Sequence, residues 1–357
     1  MKYCVYIFIC VLALTTACNK ENSDYLPRAN GKPGEIVLIV DSLQWNGPLG
    51  SALRNIFNAE VPGLPQDEPM FTVIYVHPQK SLKLLTQLKN LVYVFTLDQK
   101  SRGSRTIKET ISPETIARIQ QDTGFYISTI KDEYARGQEV MYLFGDTEKN
   151  LIEHLEKNGK KIIDHFNTIE RERLAKNLFT KKSTEGVAAF LRREQKIDIN
   201  IPVGYKLANR QKDFIWLRQI DYDKDRDIFI TWKPYESEYQ FLPDSIMAWR
   251  DAVAKKYLFE DPKNPISYLV IEREDAQVLT QQVNFNDHFA MEIRGLWRTN
   301  HRTMGGPFVG YAIADQPQGL LYYIEGFAFA PGKDKREFMR ELETILWSFK
   351  TSEDLTK

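Results

Sequence analysis

All three cysteines of this chain, Cys4, Cys10 and Cys18, fall within the first eighteen of its 357 residues. Everything after Cys18 must hold together without a disulfide, a Cys-ligated zinc or an iron–sulfur cluster, and it has no thiol nucleophile. Chemistry in the body is left to oxygen and nitrogen side chains. Charge narrows the choice of partner as well. Lys plus Arg and Asp plus Glu each number 48, so the chain lacks both the basic footprint expected of a nucleic-acid binder and an acidic solvating tail. Its length is enough for a large core or two domains.

Residues 1–17 read as a lipoprotein signal peptide. Lys2 precedes an apolar run from Tyr3 to Leu14, shorter than the roughly 20 residues a membrane-crossing helix needs. Leu14-Thr15-Thr16-Ala17-Cys18 resembles the lipobox of bacterial lipoproteins, with leucine one place further from the cysteine than usual. Cys18 is therefore the expected lipidation site and the expected first residue after cleavage, leaving 340 residues with a formal charge of −1. Two or three acyl chains would hold such a protein on a membrane, since each buried methylene contributes about 0.8 kcal/mol. Ordinary signal-peptidase cleavage, releasing a soluble protein, is the alternative. Residues 18–33 are polar with Pro and Gly and read as a flexible tether. Lys20-Glu21 with Asp24 is too sparse an acidic run to choose between a periplasmic and a surface-facing position.

Beyond the tether the pattern predicts an α+β protein: two mixed α/β sections with largely antiparallel sheets, residues 34–180 and 184–350, joined by a long amphipathic helix. In the first section Glu35–Val40, Phe71–Val76, Leu91–Leu97, Phe125–Ile130 and Glu139–Phe144 read as strands. Ser101–Ser112 reads as a polar loop, and Ser112-Pro113 starts a helix with a cap and a proline at its first position. Asp146 is expected to cap the long helix, whose Leu151, Leu155, Ile162, Phe166 and Ile169 share one face. Gly159 weakens that helix by about 1 kcal/mol relative to alanine without ending it. The second section opens with a hairpin, Phe214–Ile220 and Ile228–Trp232. A helix from Pro243 to about Tyr257, the strands Ser267–Ile271, Phe289–Trp297, Phe308–Ala314 and Leu320–Phe329, and a closing helix follow.

Familiar active-site motifs are missing from the sequence. Asp221, Asp223, Asp225 and Asp227 alternate as EF-hand ligands do, but Arg226 and Trp232 occupy the positions that need glycine and glutamate, so a solvated turn is expected. No histidine pair has the spacing of a helical zinc site, and no nucleophile elbow, Walker loop or dinucleotide fingerprint occurs. Neither metal nor cofactor is expected. Gly305-Gly306-Pro307-Phe308-Val309-Gly310 suggests either a tight turn or a backbone surface that a ligand approaches. Strand alternation puts Phe289, Met291 and Ile293 on one face and Glu292, Arg294 and Arg298 on the other. Glu325 is a lone carboxylate in an apolar strand. It reads either as a general acid or, paired with Arg294, as a structural ion pair. Glu325 and Glu292 are the candidate catalytic residues, and Arg294, Trp297 and Trp45 the candidate ligand surface.

Gly63-Leu64-Pro65-Gln66-Asp67-Glu68-Pro69, Ala135-Arg136-Gly137-Gln138, Arg294-Gly295-Leu296-Trp297, Met304-Gly305-Gly306-Pro307-Phe308 and Ala330-Pro331-Gly332-Lys333 together resemble the uncharacterised lipoproteins of Bacteroidetes that carry a domain of unknown function. The resemblance spans nearly the whole body and implies an envelope lipoprotein of a Gram-negative bacterium, anchored at the outer membrane. It brings no catalytic residues with it. Two functional classes remain: a binding module for a glycan, peptide or protein partner of the envelope, with no role for nucleic acid, and a hydrolase or transferase built on carboxylates.

Overall fold

The computed structural model describes residues 26–79, 82–180, 185–221, 224–261 and 264–356. The signal peptide, Cys18, Tyr222, Asp223 and the charged stretch 181–184 lie outside the described residues. In chain order the first elements are β1 (Glu35–Val40), α1 (Ser42–Trp45), α2 (Pro48–Phe57), β2 (Thr72–Val76), β3 (Asn90–Thr96), α3 (Arg102–Lys108), α4 (Pro113–Gln121), β4 (Ile127–Lys131), β5 (Glu139–Gly145) and α5 (Glu148–Leu178). After α6 (Glu185–Phe190) come β6 (Lys206–Gln211), β7 (Phe214–Asp221), β8 (Lys224–Pro234), α7 (Pro243–Tyr257), β9 (Phe259–Asp261), β10 (Asn264–Ile271), β11 (Leu279–Phe285), β12 (His288–Thr299), β13 (Gly305–Asp315), β14 (Leu320–Phe329) and α8 (Arg336–Leu346).

The protein is α+β, with two sheet-bearing regions linked by the long helix α5. Its compact units do not follow the chain end to end. Of the described residues, one comprises those up to Leu53 with those of Thr72–Asn158, and the other Arg54–Phe71 with those from Gly159 onward.

The first unit carries a five-stranded sheet in the order β2-β1-β3-β5-β4. Pairs β1–β2, β1–β3 and β3–β5 are parallel and only β4–β5 is antiparallel, so the expectation of largely antiparallel sheets fails here. The physical reason lies in burial: β3 and β5 are buried at every residue and β1 at all but its first. Strands covered on both faces lose the alternation that marks an antiparallel sheet with one wet side.

Residues 27–30, expected to belong to the flexible tether, pair with the first unit. Ala29 N–H donates to the Arg136 carbonyl at 2.9 Å and Arg136 N–H to that of Pro27 at 2.8 Å, while Asn30 N–H donates to the Gln87 carbonyl at 2.8 Å. Backbone pairing of this kind needs no apolar side chain and leaves no trace in composition. It also accounts for Ala135–Gln138: the buried Gln138 amide donates to the carbonyls of Thr86 and Leu88 at 2.7 and 2.6 Å.

Two local expectations are corrected. Ser101–Ser112 is not all loop, because Ser101 caps α3 by accepting the Ser104 N–H at 3.1 Å, and Ile107 enters the core. Thr147, rather than Asp146, supplies the hydroxyl that accepts an N–H of the first turn of α5, that of Asn150 at 3.3 Å. The helix runs on through Gly159, where a Cβ would stand 2.9 Å from Ile56 Cγ1. There glycine's helix penalty is offset by a close helix contact.

In the second unit the strands run β6-β7-β8-β14-β13-β12-β10-β9, with β11 paired to β12, and every pairing is antiparallel. One sheet face packs against α8, whose Met339, Leu342, Ile345 and Leu346 are buried with Tyr311, Ile324 and Val309. Each such side chain contributes roughly 1.5–3 kcal/mol through burial. The other face packs against Ile246 and Ala254 of α7, together with Ile293, Phe308 and Tyr323. Glu68 joins this unit by capping α8 from far away in sequence: its carboxylate accepts the N–H groups of Lys335 and Arg336 at 2.7 and 2.8 Å.

Candidate functional site

Alternation along β12 directs Met291, Ile293 and Trp297 toward the α7 side and Glu292 and Arg294 toward the α8 side. On the α8 side Arg294 grips Glu292 with two prongs, Nε to Oε1 at 2.8 Å and Nη2 to Oε2 at 3.0 Å, and donates its Nη1 to Glu343 of α8. Gln281 of β11 donates its amide to Glu292 at 2.6 Å, and the Trp347 indole N–H donates to the Tyr311 hydroxyl at 3.1 Å. Burial works to raise the Glu292 carboxyl, but the Arg294 charge and the hydrogen bonds of Arg294, Gln281 and Tyr311 outweigh it and hold the group below the ordinary carboxylate range. Glu292 is thus a fixed anion at neutral pH. Burial, with Glu292 next, pushes the Tyr311 phenol well up and keeps it neutral.

This network forms one wall of an open cleft of about 630 Å³. Other walls come from α5 (Lys160, Asn167, Arg171), the edge strand β11 (Gln282, Asn284) and α8 (Arg336, Arg340, Trp347), with Val61, Ile163 and Met339 adding apolar surface. Arg171 lies over the Trp347 ring at 4.1 Å from its centroid, and the same indole stacks on Phe285. No carboxylate or other hydrogen-bond acceptor engages Arg171 among the described residues. The cleft is lined by five cationic side chains, Lys160, Arg171, Arg294, Arg336 and Arg340, and three anionic ones, Asp164, Glu292 and Glu343.

The residues singled out from sequence scatter over this geometry. Arg294 and Glu292 line the cleft together. Glu325 lies on the opposite sheet face, fully buried, where Arg250 of α7 grips it at 2.8 and 3.1 Å and Tyr323 donates its hydroxyl at 2.7 Å. Its partner is therefore Arg250 and not Arg294, because Arg294 points to the other side of the sheet. Glu292 and Glu325 cannot flank one bond of a substrate. Trp297 is not a surface residue. It is 3% exposed and donates its indole N–H to the Ala328 carbonyl at 3.2 Å. Trp45, half-buried in the first unit, stacks on Tyr75 with planes 3° apart.

Gly306 and Gly310 of β13 make room for close packing. A Cβ on Gly306 would meet the Ala328 carbonyl oxygen at 2.0 Å, and one on Gly310 would meet the Tyr323 hydroxyl at 2.2 Å. The aspartate run is no solvated turn at its C-terminal end. Arg218 binds both Asp225 and Asp227, and Asp227 is buried and accepts the Trp216 indole N–H at 2.9 Å. Groups of three or more His, Cys, Asp or Glu side chains able to hold a metal do not occur among the described residues.

Sequence reasoning missed Arg171, Trp347 and the whole of β11. A signal for β11 was present: Leu279, Gln281, Val283 and Phe285 alternate toward Asn286-Asp287, whose positive φ values of 50° and 68° make the two-residue hairpin turn into β12.

Comparison with known proteins adds names without activities. Residues 29–179 match a family described as a domain of unknown function (DUF8532), and residues 186–348 match another (DUF4837). No curated protein matches the chain. Among the described residues no helix is long and apolar enough to cross a membrane.

Proposed function

We propose that the protein is an envelope lipoprotein of a Gram-negative bacterium, akin to the uncharacterised lipoproteins of Bacteroidetes. It is held at the outer membrane by lipid on Cys18, and its C-terminal unit is a binding module for an envelope glycan, peptide or protein. The observation that carries the binding reading is the open cleft at Arg171. Its carboxylates Glu292 and Glu343 are already engaged by Arg294, whereas Arg171 keeps its donors unspent at the wall. A site arranged in this way holds a ligand by charge and shape. Against the hydrolase or transferase reading, Glu325 is fully buried in its pair with Arg250 and Glu292 is held by Arg294.

A photo-crosslinking amino acid placed at the exposed Thr168 of α5, in the cleft, should capture an envelope component in intact cells. The same group at the exposed Glu156 should not. Equal capture at both positions, or none at Thr168, overturns the assignment of the cleft. For the anchor, labelling with a fatty acid should tag the wild type and leave Cys18→Ala untagged. An untagged wild type removes the lipoprotein reading.

A further inference from the structure

The cleft is bordered by a strand edge that is open in a specific way. Phe285 and His288 close the two-residue turn between β11 and β12, and such a closing pair exchanges both of its backbone hydrogen bonds. Counting back in twos, Val283 and Gln281 also turn their backbone groups toward β12, while Asn284, Gln282 and Thr280 turn theirs away. Among the described residues no backbone partner takes up those outward groups. Gln282 and Asn284 line the same cleft as Arg171.

We infer that the cleft takes an extended acidic peptide segment, added as a further strand on the outer edge of β11, with one of its carboxylates seated on Arg171. This rests on the binding reading above and narrows it. Two independent features point to a peptide. The free edge repeats its donor and acceptor every two residues, roughly 7 Å, which is the repeat of another β-strand and not of a sugar chain. The cations of the cleft outnumber its anions, and one of them, Arg171, is a guanidinium whose planar fork matches a carboxylate and which Trp347 holds in place. Thr280 to Asn284 gives room to pair with a segment of about five residues.

The experiment is calorimetric titration of the full-length protein in detergent with three pentapeptides, acetylated and amidated: Val-Glu-Val-Glu-Val, Val-Gln-Val-Gln-Val and Val-Glu-Pro-Glu-Val. The first should bind at least tenfold tighter than either of the others. Arg171→Gln should abolish its advantage over the glutamine peptide. Gln282→Pro, which removes an outward N–H while sparing the β12 ladder, should abolish its advantage over the proline peptide. Asn284→Pro provides a second edge variant should Gln282→Pro fail to fold. Equal binding of the three peptides, binding of none, or discrimination that survives Arg171→Gln overturns the inference. If the peptides fail while crosslinking at Thr168 still captures an envelope component, only the peptide assignment falls. If both fail, the binding reading falls with it.

Discussion

Arg250 and Glu325 form a two-pronged ion pair in which both side chains are completely enclosed between α7 and the sheet. The Nη2 and Nε donors reach the two carboxylate oxygens at 2.8 and 3.1 Å, and the Tyr323 hydroxyl supplies a third bond. Gly310, directly across the ladder from Glu325, leaves the space that Tyr323 occupies. Two buried charges satisfied in this way contribute little net stability over an apolar pair of the same volume, but separating them is costly. Arg250→Met should lower the unfolding free energy by about 3–5 kcal/mol. The double variant Arg250→Met/Glu325→Leu should recover most of that loss. Urea denaturation of the two variants and the wild type provides the measurement, and a double variant no more stable than the single one would show that the charge on Glu325 is not what the arginine compensates.

The Glu68 carboxylate tests how firmly the loop Gly63–Pro69 is tied to α8. It accepts two of the N–H groups that the first turn of the helix leaves without partners, and it places an anion at the positive end of the helix dipole. Glu68→Ala should cost about 1–2 kcal/mol, with Glu68→Gln intermediate because the amide keeps one acceptor. Thermal unfolding of the three proteins reports the order. A Gln variant as unstable as Ala would assign the effect to charge alone.

What could be read in the sequence followed from how each segment meets solvent. The amphipathic face of α5 was legible because Leu151, Leu155, Ile162 and Phe166 are buried on one side while the other stays wet. β1, β3 and β5 were legible as strands but not as parallel neighbours, since a run buried on both faces carries no record of which strand lies beside it. Arg294 was found and Trp297 misplaced for one reason: they are three residues apart on a strand, hence on opposite faces, and the face that opens into a cleft is decided by α5 and α8. Arg250 gave no sign at all, because an arginine in a helix with polar neighbours reads as solvated until its carboxylate arrives from β14.

Asp227 predicts an unusual pH dependence. Burial, only partly opposed by Arg218, pushes its carboxyl up to about 7 from an ordinary value of 3.8. The folded state therefore holds a proton that the unfolded chain gives up near pH 4, so stability from this group is fully present below that point. It falls as pH rises toward 7 and is constant above it. The slope is about 1.4 kcal/mol per pH unit at most within that window. Asp227→Asn removes the titration, so its stability relative to the wild type should rise between pH 4 and pH 7 and then level off. Urea midpoints at pH 4.5, 6 and 8 decide the matter, and a wild-type-to-variant difference that does not change with pH refutes it.

The Glu292–Arg294–Glu343 cluster predicts the opposite sign. Although burial opposes ionisation of Glu292, Arg294 brings its carboxyl below the ordinary value, so the stability gained there is present above the unfolded value of about 4.5 and is lost in acid. Replacing Arg294 with glutamine leaves two carboxylates facing one another behind the cleft with only neutral donors. The loss should reach about 3–5 kcal/mol at pH 7 and shrink as acid protonates Glu292 and relieves the repulsion. Arg294→Lys keeps a charge but not the fork that spans both oxygens of Glu292, and should fall between the two. Measured across pH, the gap between wild type and Arg294→Gln should therefore close in acid, whereas a gap of constant size would mean that Arg294 acts through packing of its stem and not through its charge.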